Sequence, residues 1–406
     1  MLKLMKTQNR QWLFAAGNLV EWYDFCLFGY FAVILSREFY PANHPYFALI
    51  AVFSTYAIGF LVRPLGGFVI GRLSEKISVR VALVLSFTCM MVPTAVIGFL
   101  PGYASAGMLA PILLLFVRCF QGFSVGGQFT TALLCVVDRS EPTQVSQNIS
   151  KIYLGSVYGY ILASIVGVVV YYLPIPQSLQ WRLPFIFSLL FLPIIPMLSR
   201  YLSAIEVQKT TQNTLRNNFA QLIKSVSIIF LLSCVGSAIY FSIYVYLISF
   251  MVKYISHIQM RDALQLNFLS ILVSLPTVKW VGKLCDYYGC KRIFYVGCLG
   301  LLCIFPMLQL LYLQSFLFNA MTVCLLGVLS SFAGFPLTSL AVRQIKNQYK
   351  FSNTALGYNL GAAALGGTTP LWITLLIHWL RPDVALSVYL AAVCLMGAWV
   401  VRVARE

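Results

Sequence analysis

The sequence predicts an all-α integral membrane protein with twelve transmembrane helices in two six-helix halves. Three observations predict it. Of the 406 residues, 60% are hydrophobic and only 10% are charged, with a mean hydropathy of +0.84, whereas a soluble domain carries about 25% charged residues. The chain divides into apolar runs near or above the roughly 20 residues that cross a bilayer as a helix. The basic residues collect in alternate short connections between those runs, which is the pattern that sets membrane orientation. The formal charge of +17 therefore reports topology, and no nucleic-acid partner is expected.

The first run, 11–36, follows Lys3, Lys6 and Arg10, carries acids and lacks a small-residue cleavage site. It reads as a first transmembrane helix and not as a removed signal peptide. Runs at 47–73, 80–100, 106–137, 151–173 and 183–203 complete an N-terminal half, 1–203. The longest polar connection, 204–220, reads as a cytoplasmic linker. Runs at 221–253, 263–281, 291–313, 316–343, 352–379 and 383–403 make the C-terminal half, 221–406. Runs longer than the minimum permit tilt. The expected outer connections hold only Arg37, Arg182, Lys253, Arg261 and Arg381, and the other loop cations fall inside. Both termini are thus expected in the cytoplasm.

The halves repeat each other. GRLSEKISVR (Gly71 to Arg80) ends the second run and GKLCDYYGCKR (Gly282 to Arg292) ends the eighth. Parallel repeats at matching positions mark a two-half transporter with its site between the halves near the midplane. Glu75, Arg80, Asp286, Lys291 and Arg292 in these loops are candidate gating residues.

Glu21 and Asp24 are the two acids that fall well within an expected span. Intramembrane carboxylates are costly and point to function. Asn18, Glu21, Phe25 and Phe28 share one helix face, with Asp24 beside Glu21. A carboxyl whose surroundings alternate between burial and a nearby cation changes its proton affinity, so the pair is suited to proton coupling. The alternative is a static pair, each acid locked to an arginine. Arg63 and Arg118 are the matching cations, and a guanidinium stays charged and grips carboxylates bidentately. Arg63, in an RPLGG stretch, suits structure or gating. Arg118, near mid-membrane, suits contact with the solute or the proton site. Asn18, Tyr358 and Asn359 join it as candidate solute-binding residues. Tyr240 and Tyr244 are cavity liners or core. Gly366 to Pro370 interrupts the eleventh run. Gly122/Gly126 and Gly155/Gly159 are close-packing pairs.

The eleven cysteines are scattered without a CxxC or a Cys/His cluster, and read as small packing residues. No metal site, no cofactor and no enzymatic constellation is expected. The energy then comes from an ion gradient, with protons favoured over sodium by the titratable carboxylates.

Several stretches carry a resemblance. They are Gly17 to Phe25 (GNLVEWYDF), Arg63 to Gly67 (RPLGG), Arg118 to Gly127 (RCFQGFSVGG) and Trp181 to Phe185 (WRLPF). Together they resemble the major facilitator superfamily, and within it the metabolite:proton symporters that include proline/betaine, 2-oxoglutarate, citrate and shikimate carriers. The resemblance implies the major facilitator fold and proton-coupled import of a small organic solute by alternating access, in a monomer of the bacterial inner membrane. It favours a carboxylate-bearing metabolite, because relatives that carry anionic acids tend to have arginine at the place of Arg118. It also marks departures. Gln128, a candidate solute-binding residue, replaces a usual glutamate, Ser78 and Val79 replace a Gly-Arg pair, and Cys290 stands where arginine is common. Because the chain ends at Glu406, the coiled coil of osmosensing carriers is not expected. The alternatives are export of a siderophore, drug or metabolite, uptake of a zwitterionic osmolyte, and a non-transporting membrane sensor.

Overall fold

A computed structural model describes residues 18–41, 45–76, 79–125, 128–137, 140–193, 195–196, 219–313, 315–344 and 350–405. Helices account for nearly all of them, and no strand occurs among the described residues. In chain order these are α1 (Asn18–Tyr30), α2 (Ala32–Phe39), α3 (Pro45–Lys76), α4 (Val79–Phe99), α5 (Leu109–Ser124), α6 (Gln128–Val137), α7 (Val145–Tyr172) and α8 (Arg182–Ile186). The second set is α9 (Phe219–Phe241), α10 (Leu247–Tyr254), α11 (Met260–Tyr288), α12 (Cys290–Leu302), α13 (Ile304–Leu310), α14 (Phe316–Val342), α15 (Lys350–Gly361), α16 (Thr369–Leu376) and α17 (Pro382–Val403). Most of the expected linker at 204–220 lies outside the described residues.

By length and apolar composition, six of the described helices can cross a membrane, or seven if α1 and α2, bent by 64°, form one span. Other expected spans fall on helices that are shorter or broken. The ninth breaks at Cys303, between α12 and α13. The eleventh breaks through a π-helical segment, Ala362–Gly366, after which Pro370 opens α16, where its missing N–H costs no helical bond. The seventh carries a π segment at Ser242–Tyr246, which the sequence reading did not anticipate. π-turns of this kind recur at functional sites.

Two glycines position the site. Gly289 (φ +89°) ends α11, in a left-handed conformation that glycine adopts without steric cost. The chain reverses there, so Asp286 and Cys290 stand close together. At Gly122 on α5, an added Cβ would overlap the carbonyl oxygen of Gly59 on α3, and a Cβ on Gly59 would sit 3.2 Å from the carbonyl oxygen of Arg118. The two backbones therefore touch where Arg118 enters the core. Overpacking costs about 1–3 kcal/mol. Gly122→Ala is accordingly expected to lower the thermal midpoint in detergent, whereas alanine at Gly334, which has open space around it, should leave the midpoint within error.

Candidate functional site

Asp24 is 1% exposed and holds three helices together. Its Oδ2 accepts from Arg118 Nη1 at 3.0 Å, and its Oδ1 accepts from Gln121 Nε2 at 2.6 Å and Thr94 Oγ1 at 2.6 Å. Gln121 also donates to Thr94 Oγ1 at 2.9 Å. The arrangement follows from spacing: Arg118 and Gln121 are three apart on α5 and share a face, while Thr94 comes from α4. The Arg118 guanidinium also lies 3.8 Å from the Phe28 ring centroid. Charge-assisted bonds of this kind are the strong ones, and both oxygens of the carboxylate are used.

Glu21, one turn earlier, is held differently. Its Oε1 lies 3.5 Å from Arg63 Nη2, beyond the 2.7–2.9 Å usual for a charge-assisted bond. Arg63 is gripped instead by two rings, with Phe25 and Phe60 each 4.0 Å from its guanidinium carbon. Among the described residues, no hydrogen-bond partner meets Arg63 Nε or Nη2. Arg118 Nε and Nη2 and Gln121 Oε1 are likewise without a partner among the described residues, so the two acid–arginine pairs differ at the acids: both oxygens of Asp24 are hydrogen-bonded, whereas Glu21 has one loose contact beside aromatic faces.

Beside Glu21, Trp22 enters the wall of a narrow cavity that lies between the first and second sets of helices. The lining is rich in aromatic rings, with Trp22, Phe129, Tyr153, Tyr160, Tyr240, Phe241 and Tyr358. Its polar groups include the hydroxyls of Ser156, Ser233, Ser237 and Thr338, and among the described residues none that lines it is charged. Ring centroids lie 5.4 Å apart for Trp22–Tyr160 and 4.9 Å for Tyr160–Tyr240, so the faces converge.

Contacts also join the two sets of helices near both of their ends. At the Asp286 end, that carboxylate accepts from the backbone amides of Ser146 (2.9 Å) and Gln147 (2.8 Å). These amides belong to the first turn of α7, whose N–H groups have no helical acceptor and whose dipole favours an anion. Arg343 Nη2 donates to Ser146 Oγ at 2.7 Å and lies 3.4 Å from Asp286 Oδ1. At the far end, Tyr46 donates to the Thr374 carbonyl at 3.0 Å, and Gln265 donates to Tyr172 at 2.7 Å.

Of the expected solute-binding residues, Tyr358 lines the cavity. Arg118 does not, because Asp24 holds it 1% exposed in the core. Asn18 stands behind the wall, donating to Ser156 at 2.7 Å. Asn359 turns to the Ala355 carbonyl at 2.9 Å. The Gln128 side chain, and those of Glu75 and Arg80, lie outside the described residues. Asp286 makes the contact between the two sets of helices just described, Lys291 is engaged in contacts and Arg292 is exposed. Tyr240 lines the cavity, whereas Tyr244 is bonded in the core to Ser274 (2.5 Å) and the Gly327 carbonyl (3.0 Å). Sequence reasoning missed Thr94, Trp22, Tyr153, Tyr160, Ser146 and the role of Arg343. It also missed a third buried acid, Asp383, bound by Gln309 at 2.6 Å and Arg381 at 3.1 Å.

The comparisons with known proteins bear on this arrangement. The chain is 30% identical over 401 residues to a putative proline/betaine transporter of Staphylococcus aureus, covering 95% of this chain and 85% of that one. It is 28% identical to the shikimate transporter of Escherichia coli, covering 94% and 91%. It is 29% identical to the proline/betaine transporter of Salmonella typhimurium, covering 94% and 80%. In fold it is similar to the crystal structure of a D-xylose-proton symporter, with a TM-score of 0.71 at 15% identity over 95% of this chain and 96% of that one. The model of the Major Facilitator Superfamily matches residues 14–369. The chain is a transport protein of the Major Facilitator Superfamily and not an enzyme.

Proposed function

We propose that this chain couples inward proton movement to uptake of a small organic solute bearing a carboxylate and an alkylated ammonium group. One observation carries the reading: a single turn of α1 puts Trp22 in the wall of an aromatic-rich cavity and Glu21 and Asp24 against Arg63 and Arg118. Solute and proton thus act on the same short piece of helix. An alkylated ammonium sheds water cheaply and is attracted to ring faces by about 0.5–2 kcal/mol each. The hydroxyls of Ser237 and Thr338 are suited to a single carboxylate. An acid without an ammonium, singly or multiply charged, would lose its hydration there with no cation among the described lining residues, which is costly. The names of the proline/betaine relatives agree with this class.

The two acids take different roles in the proposal. Asp24 stays ionised as the anchor of Arg118. Glu21 takes the proton, since its protonation gives up a single loose contact and leaves Arg63 between two rings. The halves 1–203 and 221–406 rock about the cavity, with both termini cytoplasmic in a bacterial inner membrane and the Asp286 contact closing the cytoplasmic side.

The test is flux in proteoliposomes holding a pH-sensitive dye, under an inward proton gradient. Betaine or proline should acidify the lumen, while citrate, 2-oxoglutarate and shikimate should not. Trp22→Ala should weaken apparent affinity roughly tenfold, the loss of about 1.4 kcal/mol. Acidification by one of the acids and not by betaine or proline would end the zwitterion reading. Silence from folded protein with the whole panel would count against symport itself.

A further inference from the structure

Cys290 opens α12 directly after Gly289, in the connection between the expected eighth and ninth spans. Its Sγ lies 3.5 Å from Ser339 Oγ and 3.7 Å from Ser146 Oγ. Those hydroxyls are 2.9 Å from each other, and Arg343 donates to Ser146 at 2.7 Å. The thiol of Cys285, near the end of α11, hydrogen-bonds Cys290. The Cys290 thiol is held down to about 7, first by that hydrogen bond and then by Ser339, Arg343 and Ser146, against burial, which pushes it up. Donor-rich, electropositive surroundings mark a nucleophilic thiol, while burial makes a thiol inert. Both conditions hold here, because Cys290 is 1% exposed.

Part of the cover over Cys290 comes from the other half of the molecule. Ser146 belongs to α7, and its amide is one of the two that dock on Asp286. Any movement that separates α7 from Asp286 also removes Ser146 from Cys290. We propose that Cys290 is a latch-guarded alkylation site: it reacts with soft electrophiles such as α,β-unsaturated carbonyl compounds when the Asp286 contact opens, and the adduct holds that end open. In the reaction the thiolate forms a C–S bond to the β-carbon, and the α-carbon takes a proton from water, with no leaving group and no oxidant. The adduct prevents reclosure because the thiol fills the space between Ser339 and Ser146, and close-packed interiors do not absorb several extra heavy atoms.

The experiment uses the full chain in lipid nanodiscs and N-ethylmaleimide as the probe, with labelling at each cysteine followed by peptide mass. Asp286→Asn and, separately, Arg343→Gln weaken the latch. In at least one of them Cys290 should label ten or more times faster than in the unaltered protein, while exposed Cys303 labels at the same rate in all. Labelled protein should then lose hydrogen-exchange protection at the amides of Ser146 and Gln147, and the same treatment of Cys290→Ser should not change it. Equal Cys290 labelling rates in the unaltered protein and both variants would overturn the guarding role. Retained amide protection in protein labelled at Cys290 would overturn the wedge.

Discussion

Asp24→Asn is expected to lower folded yield and thermal stability sharply, by about 3 kcal/mol. Asparagine keeps the shape of the side chain and loses the charge that compensates Arg118, which is 1% exposed. A single polar contact between membrane helices is worth about 0.6 kcal/mol, whereas an uncompensated arginine at membrane depth costs about 2.5–3.5 kcal/mol on insertion scales. The charge therefore decides the outcome. The amide also mismatches its neighbours. Arg118 Nη1, Gln121 Nε2 and Thr94 Oγ1 all point at the carboxylate, so the NH2 of the substituted amide either meets the Arg118 donor or requires Gln121 to turn its unpartnered Oε1 inward. The check is a thermal midpoint in detergent for Asp24→Asn beside Asp24→Asn/Arg118→Met. Removing both charges should recover most of the loss, since replacing a buried pair with apolar packing is often neutral. A single variant as stable as the parent would mean that the network is not what fastens α1, α4 and α5 together.

How much of this was readable in the sequence depended on whether the cause was local. The apolar runs announced helices because a bilayer admits little else. The break in the eleventh run was readable from Gly366-Gly367 and Pro370. The π segment at Ser242–Tyr246 has no glycine or proline. Its cause is tertiary, in that Tyr244 is fastened to Ser274 and Gly327 on two other helices. The two acids and two arginines were legible as residues that a membrane does not keep without use, but which arginine meets which acid depends on how α3 and α5 are rotated against α1. Gln121 could have been found as the residue three beyond Arg118 on the same face, whereas Thr94 is one of many threonines. The cavity was legible only in part, through Tyr240 and Tyr358, because Trp22, Tyr153 and Tyr160 come from two helices far apart in sequence. Tyr153 and Tyr160, seven apart on α7, also hinted at a shared face. Asp286 was found through the internal repeat. Its partners were not, since they are backbone amides at a helix start and have no side-chain signature.

Glu21→Gln is expected to leave the fold and solute exchange in place and to abolish accumulation. Glutamine cannot carry a proton but matches glutamate in size. Arg63 is less exposed to the loss than Arg118 is in Asp24→Asn. It keeps the Phe25 and Phe60 rings at 4.0 Å, together worth about 1–4 kcal/mol at a desolvated site, and gives up only a contact at 3.5 Å. With one proton per solute, a gradient of one pH unit supplies about 1.4 kcal/mol, a tenfold concentration ratio. The unaltered protein in proteoliposomes, with membrane potential clamped to zero, should therefore bring labelled betaine to a ratio of about ten, and Glu21→Gln to about one. Exchange of internal for external betaine without a gradient should proceed in both within a fewfold rate, which separates a lost proton site from a lost solute site. A Glu21→Gln protein that still concentrates betaine about tenfold would exclude Glu21 as the carrier and pass the role to Asp24. The coupling would then run through the release of Arg118, and the Asp24→Asn/Arg118→Met protein, folded by the argument above, should exchange without concentrating.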